Sequence, residues 1–229
     1  MPNLPRGHIH PLSQTIERAV AALCKIGFTA VTGPEITNEY NNFDSLRVPK
    51  NHPARDIQDT FWTTDGRVLR THTSAMQIPA MKNRKPPARI VIPGRVYRNE
   101  ATDATHEATL YQLEAFAIDK DITMANLVWT LNYLIKNILG KDVETKFYPH
   151  NYPFVEPGMD VMIKWNNKWL EMLGSGMIHP QVLENMGLDP KAWQGFAFGL
   201  GVDRFMMLER GLDDIRNSYT GDTRFLEQF

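Results

Sequence analysis

An α+β domain, an antiparallel β-sheet flanked by helices, is the fold that these 229 residues predict. Three observations carry it. Residues 89–98 (RIVIPGRVYR) and 108–118 (ATLYQLEAFAI) are β-rich and separated by the polar ATDATHE, the pattern of a long hairpin. Residues 159–165 (MDVMIKW) and 169–173 (WLEML) flank Asn166, Asn167 and Lys168, a second hairpin signal. Strand and helix do not alternate regularly, and neither GxGxxG nor GxxxxGK[ST] occurs, which argues against a doubly wound nucleotide-binding sheet.

Taken in order, the first element is a helix. Pro11 suits its first position and Gly27 the residue past its end, with Ile16, Val20, Leu23 and Ile26 between them at helical spacing. In the stretch 70–77, RTHTSAMQ, small polar residues two apart share a face if the segment is extended. After the long hairpin comes the strongest helical stripe: Met124, Leu127, Val128, Leu131, Leu134, Ile135 and Ile138, closed by Gly140. Core packing accounts for both stripes. Residues 195–201 (GFAFGLG) read as a strand that runs into a helix over 202–210, ended by Gly211.

The 15 Pro and 15 Gly are scattered as punctuation, with no linker, repeat or low-complexity tract, so residues 1–229 are expected to form a single domain. Hydrophobic residues at 42% and charged residues at 22% are ordinary for a folded domain. With 25 Lys+Arg against 26 Asp+Glu, net charge −1, the chain is not one that coats nucleic acid by charge alone. The single cysteine, Cys24, excludes an internal disulfide framework and a CxxC zinc site, and its apolar neighbours predict a packed core thiol. No apolar run approaches the ~18 residues of a membrane helix. The start, MPNLPRGHIHP, lacks the apolar stretch of a secretory signal, so the expected location is the cytoplasm.

Several polar residues stand where a strand should be bland. Arg98 and Glu100 share one face of the first hairpin strand, and Gln112 and Glu114 share one face of the second, beside Leu110 and Phe116. An antiparallel hairpin can bring all four polar residues onto one floor; a solvated face with a chance ion pair is the plain alternative. As a floor, the arginine fork grips a phosphate, and a carboxylate and an amide hold an ammonium group or a purine amine, so an amino acid could be positioned beside ATP. RTHTSAMQ adds His72, Ser74 and Gln77, although a lone histidine is more often structural. His106 lies in the hairpin loop. Glu171 interrupts an apolar strand, where a buried carboxylate needs an arginine or a metal ion as partner. Arg204 follows the glycine-rich Gly199-Leu-Gly201 turn, and with Arg98 it suggests a clamp on both ends of a triphosphate.

Here the strings themselves become specific. GHIHPLSQTIE, NFDSLRVPKNHPARDIQDTFW, LRTHTSAMQ, RVYRNEATDATHE, YPFVEPG, WLEMLGSGMIHPQVL, GFAFGLGVDRFMML and DDIRNSYTGDTRFLEQF resemble the catalytic domain of phenylalanyl-tRNA synthetase α subunits, class II aminoacyl-tRNA synthetases. The resemblance covers almost the whole chain and implies the class II fold. GFTAVTGPEI, with Pro34, resembles motif 1, an interface element; RVYRNE through LYQLE resembles motif 2; GFAFGLGVDR resembles motif 3. What the resemblance implies is activation of phenylalanine by ATP to phenylalanyl-adenylate, then transfer to tRNA-Phe. Arg98 and Arg204 would be the catalytic residues, on the α- and γ-phosphates. Glu100 would read the adenine amine, Leu110 would lie against the adenine, His106 would touch the phosphates, and Glu171 would lie near Mg2+. His72, Ser74, Gln77, Gln112 and Glu114 would hold the ammonium and carboxylate ends of the amino acid. Tyr152, Phe154 and Val155 would wall the phenyl ring, with Ala197 and Gly199 leaving it room.

The chain departs from the family pattern at five positions. Leu110 stands where the family usually has Phe, Tyr111 where His is common, Ala115 where Gly follows QLE, Pro79 where Arg is common, and Tyr152 where Phe is common. The N-terminal coiled-coil arm of typical α subunits is absent from the sequence, so tRNA recognition is expected from another chain: a β subunit in a heterotetramer, or a second copy in a homodimer. Two alternatives stay open, a paralogue making an adenylate for another acceptor or amino acid, and a weakly catalytic homologue with a binding or regulatory role.

Overall fold

The structure is a computed structural model that describes residues 7–56, 59–99, 101–104, 107–140 and 142–229. Its elements run α1 (Pro11–Lys25), β1 (Thr29–Ala30), β2 (Ile36–Thr37), α2 (Glu39–Asn42), β3 (Val68–Leu69), α3 (Gln77–Met81), β4 (Ala88–Tyr97) and β5 (Thr109–Asp119). Then follow α4 (Met124–Leu139), β6 (Thr145–Tyr152), β7 (Val155–Trp165), β8 (Lys168–Ile178), α5 (Pro180–Asn185), β9 (Gln194–Gly201), α6 (Val202–Arg210) and α7 (Thr223–Leu226). Seven strands form one sheet in the order β1-β4-β5-β9-β8-β7-β6. It is antiparallel throughout except where β1 joins β4 in parallel.

Both expected hairpins form. β4 and β5 pair from Ala88↔Ile118 to Tyr97↔Thr109. The turn between β7 and β8 is the two residues Asn166 and Asn167, both at positive φ, as a tight primed turn requires. The strand at 195–201 does pass directly into α6, and Gly140 and Gly211 close α4 and α6 in the left-handed conformation.

The two faces of the sheet are covered differently. Behind it, α1, α4 and α6 bury Leu23, Leu131 and Phe205 against Val91, Leu113, Ala117 and Phe198. A bidentate Arg18–Glu209 pair, at 2.6 and 2.7 Å, ties α1 to α6. In front, a second core of Phe43, Leu46, Met76, Ala80 and Val182 covers only one end of the strands, against Ile90, Ile92, Phe116 and Ile118. The other end of that front face is left as a cleft.

One expectation fails here, and one condition is not met. Cys24 is exposed, not packed: with Glu17 and Ala21 it lies on the solvent side of α1, one step around from the buried Leu23. RTHTSAMQ is not extended. His72 is, but Thr73–Met76 form a 3-10 turn that leads into α3.

Candidate active site

Along β5, alternate residues Leu110, Gln112, Glu114 and Phe116 face the front. Their partners on β9 are Gly201, Gly199 and Ala197, opposite Gln112, Glu114 and Phe116. Gly199 is in turn opposite Gly174 on β8, and Gly174 is opposite Asp160 on β7. The floor is therefore nearly bare backbone over two central strands. The bareness is required: a Cβ on Gly199 would lie 2.9 Å from Glu114 Oε2, and one on Gly174 would lie 2.7 Å from the Tyr152 hydroxyl. Above this floor lies a cavity of about 490 Å³.

At its closed end sits Glu114, only 4% exposed. Ser74 Oγ donates to its Oε2 and Gln77 Nε2 to its Oε1, each at 2.6 Å. The helical spacing of residues 74 and 77, not an extended alternation, brings both donors to one carboxylate. Burial pushes the Glu114 carboxyl up to about 7, against the two hydrogen bonds that favour its ionised form. Gln112 Oε1 accepts from the Thr73 amide at 3.4 Å. His72 lines the cleft, and its buried Nδ1 has no hydrogen-bond partner among the described residues. Burial and the neighbouring Arg98 push His72 down to about 4, so it is neutral near pH 7.

An apolar and aromatic wall adjoins Glu114. Tyr152 and Phe154 stack at 5.6 Å between centroids, Val155 and Ala197 are buried beside them, and the Tyr152 hydroxyl donates to Asp160 Oδ1 at 2.6 Å. At the open end stand the two arginines. Arg98, just past β4, donates its backbone N–H to the Ala108 carbonyl at 3.0 Å and its Nε–H to the Thr71 carbonyl at 3.4 Å. Arg204, on α6, donates from Nη1 to the Glu171 carbonyl at 2.8 Å, and no carboxylate among the described residues pairs with it. Leu110 lies half-buried on β5 and lines the same cleft.

Of the residues that the sequence singles out, Arg98, Leu110, Arg204, His72, Ser74, Gln112, Glu114, Tyr152, Phe154, Val155, Ala197, Gly199 and Glu171 all border this one cleft. Gln77 stands behind Glu114, 2% exposed. Glu100 and His106 lie outside the described residues. Glu171 is not a buried carboxylate as expected: a bulge where Met162 faces Glu171 disrupts the strand alternation, and the side chain is exposed at the cleft. Asp203, 2% exposed at the start of α6, was not singled out; nothing in GVDR marks its carboxylate as turned inward.

The residues present fit ATP and Mg2+. Two cations separated by an open floor suit a polyphosphate. Among the described residues no three acidic, histidine or cysteine side chains form a metal cage. The single exposed carboxylate of Glu171 matches an ion that is held chiefly by phosphates and water.

The model of the class II core domain (F) of tRNA synthetases matches residues 1–229. The phenylalanine--tRNA ligase alpha subunit of Acaryochloris marina (strain MBIC 11017) is 48% identical over 226 residues, 99% of this chain and 68% of that protein. The alpha subunit of Proteus mirabilis (strain HI4320) is 48% identical over 228 residues, 99% of this chain and 69% of that protein. A crystal structure of pyrrolysyl-tRNA synthetase from Desulfitobacterium hafniense superposes with a TM-score of 0.73 at 18% identity, covering 92% of this chain and 73% of that one, which shows the shared fold. The chain spans about two thirds of the length of the curated relatives it matches. It has the fold of a class II aminoacyl-tRNA synthetase core and belongs to that family. Within the family it stands with the phenylalanine--tRNA ligase alpha subunits.

Proposed function

We propose that this cleft activates phenylalanine with ATP to phenylalanyl-adenylate, releases pyrophosphate and passes the acyl group to tRNA-Phe. The observation that carries the reading is the polarity of one cleft. Two arginines stand at its open end; a buried carboxylate beside an aromatic wall stands at its closed end. Along β5 the distance from Leu110 to Glu114 is four residues, about 13 Å at ~3.3 Å per residue.

In this reading Ser74 and Gln77 hold Glu114 in place to receive the ammonium group, and Gln112 orients the carboxylate of the amino acid. Tyr152, Phe154 and Val155 take the phenyl ring, with Ala197 and Gly199 beneath it. A carboxylate oxygen of phenylalanine bonds to the α-phosphorus of ATP as the bond to the pyrophosphate oxygen breaks. Arg98 stabilises the charge that develops there, and Arg204 holds the γ-phosphate, so positioning and preorganised charge replace a protein nucleophile. Neutral His72 can hydrogen-bond without adding charge. Glu171 would help hold Mg2+, which supplies charge neutralisation on the phosphates when bound. Glu100 at the adenine and His106 at the phosphates complete the set by resemblance.

The chemistry belongs to translation, which supports a cytoplasmic location; among the described residues no helix is long and apolar enough to cross a membrane. The alpha-subunit relatives support a β-subunit partner. ATP–pyrophosphate exchange over a panel of amino acids, with and without tRNA-Phe, tests the reading. Exchange that depends on phenylalanine is expected. Exchange driven by another amino acid would mean a paralogue, and no exchange a binding homologue.

A further inference from the structure

The hydrogen-bond ladder between β5 and β9 stops at Gln112↔Gly201, because β9 turns there into α6. The next backbone N–H on β5 that faces that side is Tyr111's, and no strand is left to receive it. Asp203 Oδ2 accepts it at 2.7 Å. An acid in the first turn of a helix ordinarily faces solvent, where it complements the helix dipole. Asp203 is instead 2% exposed and turned across to the strand, and its other oxygen accepts from the Tyr219 hydroxyl. Burial raises its carboxyl, and the bonds from Tyr219 and Tyr111 act the other way.

Tyr219 belongs to a segment that is itself anchored at two points, one in the β4–β5 loop and one at the start of α1. The Ile215 amide donates to the Ala104 carbonyl, in the loop of the β4–β5 hairpin, at 2.9 Å. His10 Nδ1 accepts from the Leu12 amide at 3.1 Å, which leaves the proton on Nε2 to donate to the Ser218 carbonyl at 3.1 Å. Asp203 thus joins three segments next to functional side chains: it adjoins Arg204 in the chain, and its bonded amide lies between Leu110 and Gln112.

We propose that Asp203 and Tyr219 are positioning residues for the nucleotide half of the cleft: Asp203 continues the sheet ladder beyond the end of β9, and Tyr219 holds Asp203, so that Leu110 and Arg204 face the cleft in a fixed register. The proposal rests on the adenylation reading for the identity of the nucleotide. Glu114 and the aromatic wall lie lower on the strands, where the β5–β9 and β8–β9 ladders are continuous, so the amino-acid half does not depend on Asp203.

The test is direct titration with ATP and, separately, with phenylalanine, on the protein together with any subunit that copurifies. Asp203→Ala is expected to weaken ATP binding at least tenfold and leave phenylalanine binding within twofold. Asp203→Asn, whose amide oxygen can still accept the Tyr111 N–H, should recover most of the ATP affinity. Tyr219→Phe, which removes one hydroxyl and should fold, is expected to weaken ATP binding several-fold with phenylalanine unmoved. Unchanged ATP binding in Tyr219→Phe and Asp203→Ala, or equal losses for both ligands, would overturn the proposal. Because the readout is binding, failure of phenylalanine-dependent exchange in the wild type would defeat the adenylation reading without deciding this one.

Discussion

Glu114 makes two opposite demands on pH. The folded state keeps its proton up to about 7, whereas the unfolded carboxyl loses it near 4.5. Between those values the folded state binds more protons, so this group's contribution to stability falls as pH rises through the window, by on the order of 3 kcal/mol, and is level above it. Ammonium binding runs the other way, since it needs the ionised carboxylate. We expect the KM for phenylalanine to fall as pH rises from 6 to 8, and Glu114→Gln to abolish that trend while melting no lower than wild type at pH 8. A pH-independent KM in the wild type would show that Glu114 does not meet the ammonium. The arginines are a simpler case. Arg98→Ala or Arg204→Ala should each cost about 2–4 kcal/mol, or 10²–10³ in exchange rate, and rates within tenfold of wild type would remove the clamp. Arg98 and Glu114 draw the eye as charges on strand faces and Arg204 as a charge after a glycine-rich turn, but their assigned roles come from the family resemblance. Asp203 was not legible, since an aspartate in the first helical turn looks like any other until its burial is known.

Strand geometry explains the next level. β4, β5, β8 and β9 could be read because their apolar runs are long and bounded by clear turns. β6 could not: TKFYPHNY is largely exposed, carries Pro149 and loses its alternation after Tyr148, which an edge strand tolerates. The conformation of the 70–77 stretch was not legible because a polar string fits a 3-10 turn as well as a strand, and the tie-breaker, two donors converging on Glu114, is tertiary. Two predictions follow from how β5 and β9 present their faces. Leu110 offers the cleft an apolar surface without a ring, and a base stacked on an aromatic gains about 1–3 kcal/mol. Leu110→Phe should therefore tighten ATP binding by about fivefold or more in a titration; unchanged affinity would place the adenine elsewhere. Ala197 projects its methyl between Phe116 on β5 and Gly176 on β8. Ala197→Gly should extend the space under the ring and admit para-chlorophenylalanine to exchange, with tyrosine gaining less because its hydroxyl would lack a partner among apolar side chains. No gain for the chlorinated substrate would displace the phenyl ring from this wall.

At the scale of the whole molecule, two large apolar side chains stand exposed at and just after the motif 1 string. Ile36 is 40% and Tyr40 48% exposed, flanked by the exposed Pro34 and Glu35. The same loop is tied to the sheet: Arg70, 2% exposed, donates to the carbonyls of Arg95, Gly33 and Pro34, and its guanidinium fills the space that a side chain at Gly94 would occupy. An apolar surface held this rigidly from beneath suits a permanent contact, because little ordering entropy is lost on association. With 25 Lys+Arg against 26 Asp+Glu, these residues also offer no general excess of basic groups to tRNA phosphates. We therefore expect the chain to function in an assembly, with a β subunit or a second copy covering Ile36 and Tyr40 over more than about 1,000 Å². Light scattering on the purified chain, alone and with a candidate β subunit, should give a mass above the 26.2 kDa of one chain in at least one case. Ile36→Glu with Tyr40→Glu should shift that assembly toward monomer and lower tRNA charging in parallel. A stable monomer that charges tRNA-Phe at a normal rate would show that this surface has no partner to wait for.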